Sequence, residues 1–224
     1  NFDGLRAWPV VEIKNTAFRD IRFTGDFKMN NLEVVNDNEF LGSIFDGIFE
    51  GIKIKSIGSS AFKLSNFSGS LNLPLCTAIG QFAFYYSNFS GSLSLPACTV
   101  IGQYAFYLSQ FTGDFNCPNL QEVGDRAFYN SVFNGVFNCP NLQTVGLGAF
   151  FYSNFSGELS LPVCRFICDG AFLNSNFTQI TIGANAELYS NCIGAHSIEF
   201  IADYADNGKL GGTYVWDGSH WIYQ

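Results

Sequence analysis

The sequence predicts an α/β-type repeat solenoid: about eight coils of 22 residues, a parallel β-sheet on one face, short helical turns on the other, and a C-terminal β-hairpin cap. Three observations carry this. The dipeptide Ala-Phe recurs at Ala61-Phe62, Ala83-Phe84, Ala105-Phe106, Ala127-Phe128, Ala149-Phe150 and Ala171-Phe172, always one step of 22 apart. A second column runs through Phe23, Phe45, Phe67, Phe89, Phe111, Phe133, Phe155 and Phe177. With Phe18 and Phe40 completing the first column, the two hold sixteen of the 25 phenylalanines, so the Phe excess is two core positions used repeatedly.

Each coil reads in order. Leu71-Asn72-Leu73-Pro74 alternates apolar and polar residues, the pattern of a short half-buried strand ended by proline. It recurs at Leu93-Ser94-Leu95-Pro96 and Phe115-Asn116-Cys117-Pro118. A link follows, Cys76-Thr77-Ala78-Ile79-Gly80, with Ile or Val four residues before each Ala-Phe. The spacing of Ile79, Phe82 and Ala83 suits one helical turn. Ser87-Asn88-Phe89-Ser90-Gly91 then turns the chain back, and both its Ser and its Gly recur at the same period. A four-residue strand cannot bury itself, so the coils must stack about 4.8 Å apart, Phe upon Phe.

Solenoid ends expose core and need caps. Residues 1–12 are read as an N-terminal cap or the start of the array. Phe2, Leu5, Trp8 and Val10 would cover the first coil, although Val10 and Ile13 already fall on repeat columns. The solenoid is assigned to 13–182 and a C-terminal cap to 183–224. The segment Phe177 to Gly183 is a repeat strand with one residue deleted, and the next Ala-Phe is missing. Ile198 to Ala205 is expected to be a short helix stopped by Asn207-Gly208. Thr213–Trp216 and His220–Tyr223, joined at Asp217-Gly218, read as a hairpin.

The pattern Leu95-Pro96, Ile101-Gly102, Ala105-Phe106 resembles BspA-like (treponemal-type) leucine-rich repeats, and so does the tail from Gly212-Thr213-Tyr214 to Trp221. The resemblance covers roughly residues 10 to 224. It implies a right-handed leucine-rich-repeat stack in an extracellular or surface-anchored protein of a host-associated bacterium, with adhesion among the roles of such proteins. This chain departs from that pattern in a period one residue shorter and in Ser65, Ser87 and Ser109, where Cys or Asn is usual.

Five of the seven cysteines follow the same phases. Cys76, Cys98 and Cys164 share a column with Leu120 and Leu142, and Cys117 and Cys139 share one with Leu73, Leu95 and Leu161. Cysteine thus replaces leucine at inward positions, as a small buried hydrophobe does. In-register strands hold neighbouring Cβ atoms about 4.8 Å apart, wider than the roughly 3.5–4.5 Å a disulfide needs, so free thiols are expected.

No catalytic, cofactor or metal site is expected. His196 and His220, the histidines of the chain, both fall in the irregular C-terminal part. No serine or cysteine stands in a nucleophile motif, and no glycine loop precedes Lys-Ser or Lys-Thr. Cys164 and Cys168 have no histidine nearby for zinc, and Asp203, Asp206 and Asn207 lack the spacing and terminal Glu of a calcium loop. A formal net charge of -8 excludes the electrostatic footprint of a nucleic-acid binder. No apolar run spans a bilayer, and Asn1-Phe2-Asp3-Gly4 does not read as a signal peptide. An export signal is therefore expected to have been cleaved or to lie outside this sequence.

The expected function is binding without catalysis, by a monomer, outside the cell or on its surface. Partners would be a host or cell-surface protein, such as an extracellular-matrix protein, or a glycan; the alternative is a spacer that presents another domain. Two stripes are candidates. The outward strand positions include Asp114, Asn116, Asn138 and Glu158, whose bland role is to keep the sheet soluble. The residues after each Ala-Phe are Tyr85, Tyr107, Tyr129 and Phe151, whose bland role is to complete the wall. Trp216 and Trp221 form a third candidate, either a cap or an aromatic binding tip. Four Asn-Phe-Ser/Thr sequences, from Asn66 to Asn176, match the N-glycosylation pattern in a single repeat phase.

Overall fold

The computed structural model describes residues 18–23 and 25–224. The proposed N-terminal cap residues Phe2, Leu5, Trp8, Val10 and Ile13 lie outside these. The chain forms a parallel β-solenoid of about eight coils, closed by one helix and a C-terminal hairpin. Equivalent residues of successive coils are hydrogen-bonded neighbours, as in Ile79↔Ile101 and Phe115↔Phe137.

The coil has three walls. The first is the alternating strand read from the sequence, in which Phe115–Asn116, Phe137–Asn138, Ser156–Leu161 and Asn176–Ile182 pair in parallel. Earlier coils continue it as separate pairs, including Ser68–Asn72 with Asn88–Ser94. The second wall is the segment read as a link. It carries the longest sheet, eight parallel strands of two residues each, from Val34–Val35 through Ala78–Ile79 to Glu187–Leu188. Alternation needs about four residues to be legible, so a two-residue strand leaves no periodic signal.

The third wall holds the turns. Ala83 and Tyr85 donate their N–H groups three residues back, to Gly80 and Phe82, while Phe82 and Phe84 donate forward to Gln103 and Ala105 of the next coil. Helical bonding stops after a single turn because Phe82 and Tyr86 are left-handed (φ +55° and +63°). Tyr104, Leu108 and Arg126 repeat this conformation. It costs roughly 1–2 kcal/mol per non-glycine residue, which the forward bonds to the next coil offset.

The core is the predicted pair of Phe columns. Phe84 stacks on Phe106 at 5.3 Å with planes 8° apart, and Phe106 on Phe128 at 5.1 Å. The second column meets the first edge-on, as at Phe106–Phe111, 5.5 Å. The serine column acquires a role the sequence did not show. Ser109, Ser131, Ser153 and Ser175 are buried, and each hydroxyl donates to the carbonyl of the serine one coil earlier, at 3.0–3.3 Å. These carbonyls face away from water, and alanine would leave them unpaired.

The recurrent glycines do two jobs. Gly113 is left-handed (φ +78°), as the turn requires. One coil later Gly135 is not, and there a Cβ would strike the Asp114 carboxylate, which accepts the Val136 N–H at 2.7 Å.

The end of the array follows the predicted deletion. Strand register changes from 22 (Thr144↔Phe166) to 21 (Phe166↔Glu187). The helix runs Ser197–Asp206 and buries Ser197, Phe200 and Tyr204 along one face. The Tyr204 hydroxyl accepts from Ala186 N–H at 2.9 Å and donates to Gly183 O at 2.6 Å, fastening the helix to the last coil. The hairpin Gly212–Trp216 and Trp221–Tyr223 adds antiparallel to Asn176–Ile182. Its turn is held by Asp217, whose carboxylate accepts from His220 N, Ser219 N and Ser219 Oγ; the His220 and Ser219 backbone bonds hold its pKa below the usual range.

All seven cysteines are free, and all but Cys168 are buried. Burial pushes the Cys76 and Cys192 thiols up to about 12 and Cys164 to about 11, against an ordinary value of 9.0. The folded chain therefore keeps protons that the unfolded chain releases. The stability tied to these thiols is intact below pH 9.0 and falls as pH rises through about 11 and 12. Under reducing conditions the urea midpoint is expected to drop above pH 9, and the Cys76→Ala/Cys192→Ala double variant to drop less steeply. Parallel profiles for the two proteins would refute this account.

Candidate binding surface

The tyrosine flank is a continuous ring stack. Tyr85–Tyr107, Tyr107–Tyr129 and Tyr129–Phe151 lie 5.1, 5.1 and 5.0 Å apart, with planes 15–25° from parallel. All four rings are half-buried. Tyr86 and Tyr152, 49% and 44% exposed, stand edge-on beside them. Partial burial, and then neighbouring phenols, raise the pKa of Tyr85 and Tyr129. Lys63 lies over the rings of Phe82 and Tyr85 at 5.2 and 5.3 Å. No charged residue occurs between Lys63 and Asp114.

The outward strand face is exposed, as expected, at Asp114, Asn116, Asn138 and Glu158. Its polar groups largely bond along the stack. Asp114 caps Val136 N–H, and Asn138 Nδ2 donates to Asn116 Oδ1 at 2.9 Å. Those bonds support the sheet and leave fewer groups for a ligand.

The aromatic tip needs correction at Trp221. This side chain is 1% exposed, packs on Phe200 at 5.2 Å and donates its indole N–H to His196 O at 3.3 Å. A ring sealed beneath the helix cannot meet a ligand, and it serves the cap. Trp216 is half-buried and stacks on His196 at 4.1 Å. His220 Nδ1 sits 3.3 Å from Asp203 Oδ1.

Sequence reasoning missed a groove beside the tyrosine stack. A neighbouring column holds Phe82, Tyr104, Arg126, Gly148 and Gly170. Its side chains fill the flank in the earlier coils and vanish at the two glycines. A groove of about 320 Å³ opens there, walled by Tyr107, Tyr129 and Phe151, with Arg126 and Asp169 among its polar groups. The 22-residue period marks this column, and the loss of side-chain volume along it, from Arg126 to Gly148, is the sequence signal of the groove.

Fold and flank together define a leucine-rich-repeat solenoid, a class that is typically non-catalytic and that binds proteins. The chain belongs to the BspA type leucine rich repeat region family, whose profile matches six copies across residues 8–97 and 77–199. Proteins of this family are generally surface-associated. No match is found among curated proteins. Among the described residues no helix is long and apolar enough to cross a membrane.

Proposed function

We propose that this chain is a non-enzymatic adhesion protein, secreted or displayed on a bacterial surface, that binds a host or neighbouring-cell macromolecule through its tyrosine flank. In this reading residues 13–182 form the binding solenoid and 183–224 its C-terminal cap. One observation carries it. The stack Tyr85, Tyr107, Tyr129 and Phe151 is an additional layer outside a core already filled by two Phe columns. Rings that the core does not need, held rigid by one another, offer contact area at little entropic cost. Residues 64–113, which carry Tyr85 and Tyr107, hold no charged side chain, and this favours a protein or neutral partner over a polyanion.

The test is a panel of immobilised matrix proteins, cell-surface proteins and glycans probed with the purified chain. Saturable binding to a protein is expected, weakened at least about tenfold by Tyr107→Ser/Tyr129→Ser. Binding indifferent to that double substitution, or no binding across the panel, would defeat the proposal; the latter result would favour a spacer.

A further inference from the structure

The column beside the tyrosine stack is a ladder of flat groups that ends two rungs early. Phe82 and Tyr104 stack at 5.1 Å with planes 4° apart. Arg126 continues the ladder, its guanidinium 5.7 Å from the Tyr104 ring centre and its Nη1 donating to the Tyr104 hydroxyl at 2.7 Å. At the next two coils the column holds Gly148 and Gly170.

The backbone does not impose glycine there. Gly148 has φ +55°, and Phe82, Tyr104 and Arg126 hold +55°, +54° and +51° with full side chains. Nor is space short: a Cβ on Gly148 would meet Arg126 Cγ and Phe151 Cβ at 3.8 Å, and one on Gly170 would meet only the Phe151 ring. The absent side chains leave a slot between the guanidinium and the Phe151 ring.

We propose that this slot seats an aromatic side chain of a partner protein, which takes the empty rung and continues the stack. The proposal deepens the binding reading above and rests on it. A guanidinium offers a positive, weakly hydrated face, and the negative face of an aromatic ring complements it. The incoming ring would repeat toward Arg126 the contact Tyr104 already makes, while Phe151 flanks it as Tyr107 flanks Tyr104 (5.4 Å).

The test is an NMR titration of the whole chain with three probes: the blocked tripeptides Gly-Trp-Gly and Gly-Leu-Gly, and methyl glucoside. The tryptophan peptide is expected to shift the Gly148, Gly170 and Arg126 signals saturably, with upfield ring-current shifts, while the other probes leave them in place. Gly148→Phe fills the slot and should weaken the response at Gly170 at least about tenfold. Arg126→Ala, which removes the guanidinium and keeps Cβ, should weaken it about fivefold and provides a second arm if Gly148→Phe misfolds. Equal shifts from the leucine peptide, a response to the glucoside instead, or a tryptophan response untouched by Arg126→Ala would each overturn the assignment. Macromolecular binding that survives Gly148→Phe would discard the slot and keep the flank. A tryptophan response without any macromolecular partner would keep the slot and discard the flank's proposed role.

Discussion

Replacing Phe106 with alanine is expected to destabilise the fold by about 3–5 kcal/mol. The ring is fully buried and stacked on both faces, at 5.3 Å from Phe84 and 5.1 Å from Phe128, with Phe111 at its edge. Truncation removes the transfer free energy of the ring and leaves a cavity that rigid coils on either side cannot close. It also interrupts a quasi-one-dimensional array at its middle, where each coil is stabilised by both neighbours. The same change at Phe18 should cost less than half as much, because that ring is half-buried in the first described coil. Denaturant midpoints for the two variants decide the matter, and equal losses would contradict a linear stack.

Trp221→Ala is the second large effect, again about 3–5 kcal/mol. Trp221 fills the space between the hairpin and the helix, against Phe200 and beside Trp216. Its backbone N–H donates to Asp203 Oδ2 at 2.6 Å, tying the hairpin to the helix a second time. Without the ring the cap should loosen and uncover Ile180 and Ile182 on the last strand, both buried when it is in place. Thermal melting together with hydrogen exchange at Ile180 and Ile182 would register this. Trp221→Phe, which keeps most of the contact area, should recover much of the loss. An unchanged melting temperature would show that the cap does not depend on this residue.

The two predictions draw on different kinds of information. The column containing Phe106 is visible from the 22-residue period, and with it the inward phase of Ile79, Ile101, Cys76, Cys98, Cys117, Cys139 and Cys164 and the outward phase of Asp114 and Asn116. The role of Trp221 has no such signal. The hairpin, the helix and the last strand meet once, at contacts such as Ile180↔Tyr214, and no periodicity marks a contact that is not repeated. The sequence left Trp221 open between cap and aromatic tip for that reason, and its burial places it in the cap.

The amino-acid sequence by itself determined the repeat. A fixed period means that every residue's neighbour is its own equivalent one coil away, so side-chain phase and stacking partner follow from counting. The three-dimensional structure decided what counting cannot reach. It showed that two-residue strands form the longest sheet, that serine hydroxyls satisfy buried carbonyls, and that a groove opens where Gly148 and Gly170 interrupt a ladder of flat side chains. Those features depend on the direction of a hydrogen bond or on the volume a missing side chain leaves, and both are set only when the coils are packed against each other.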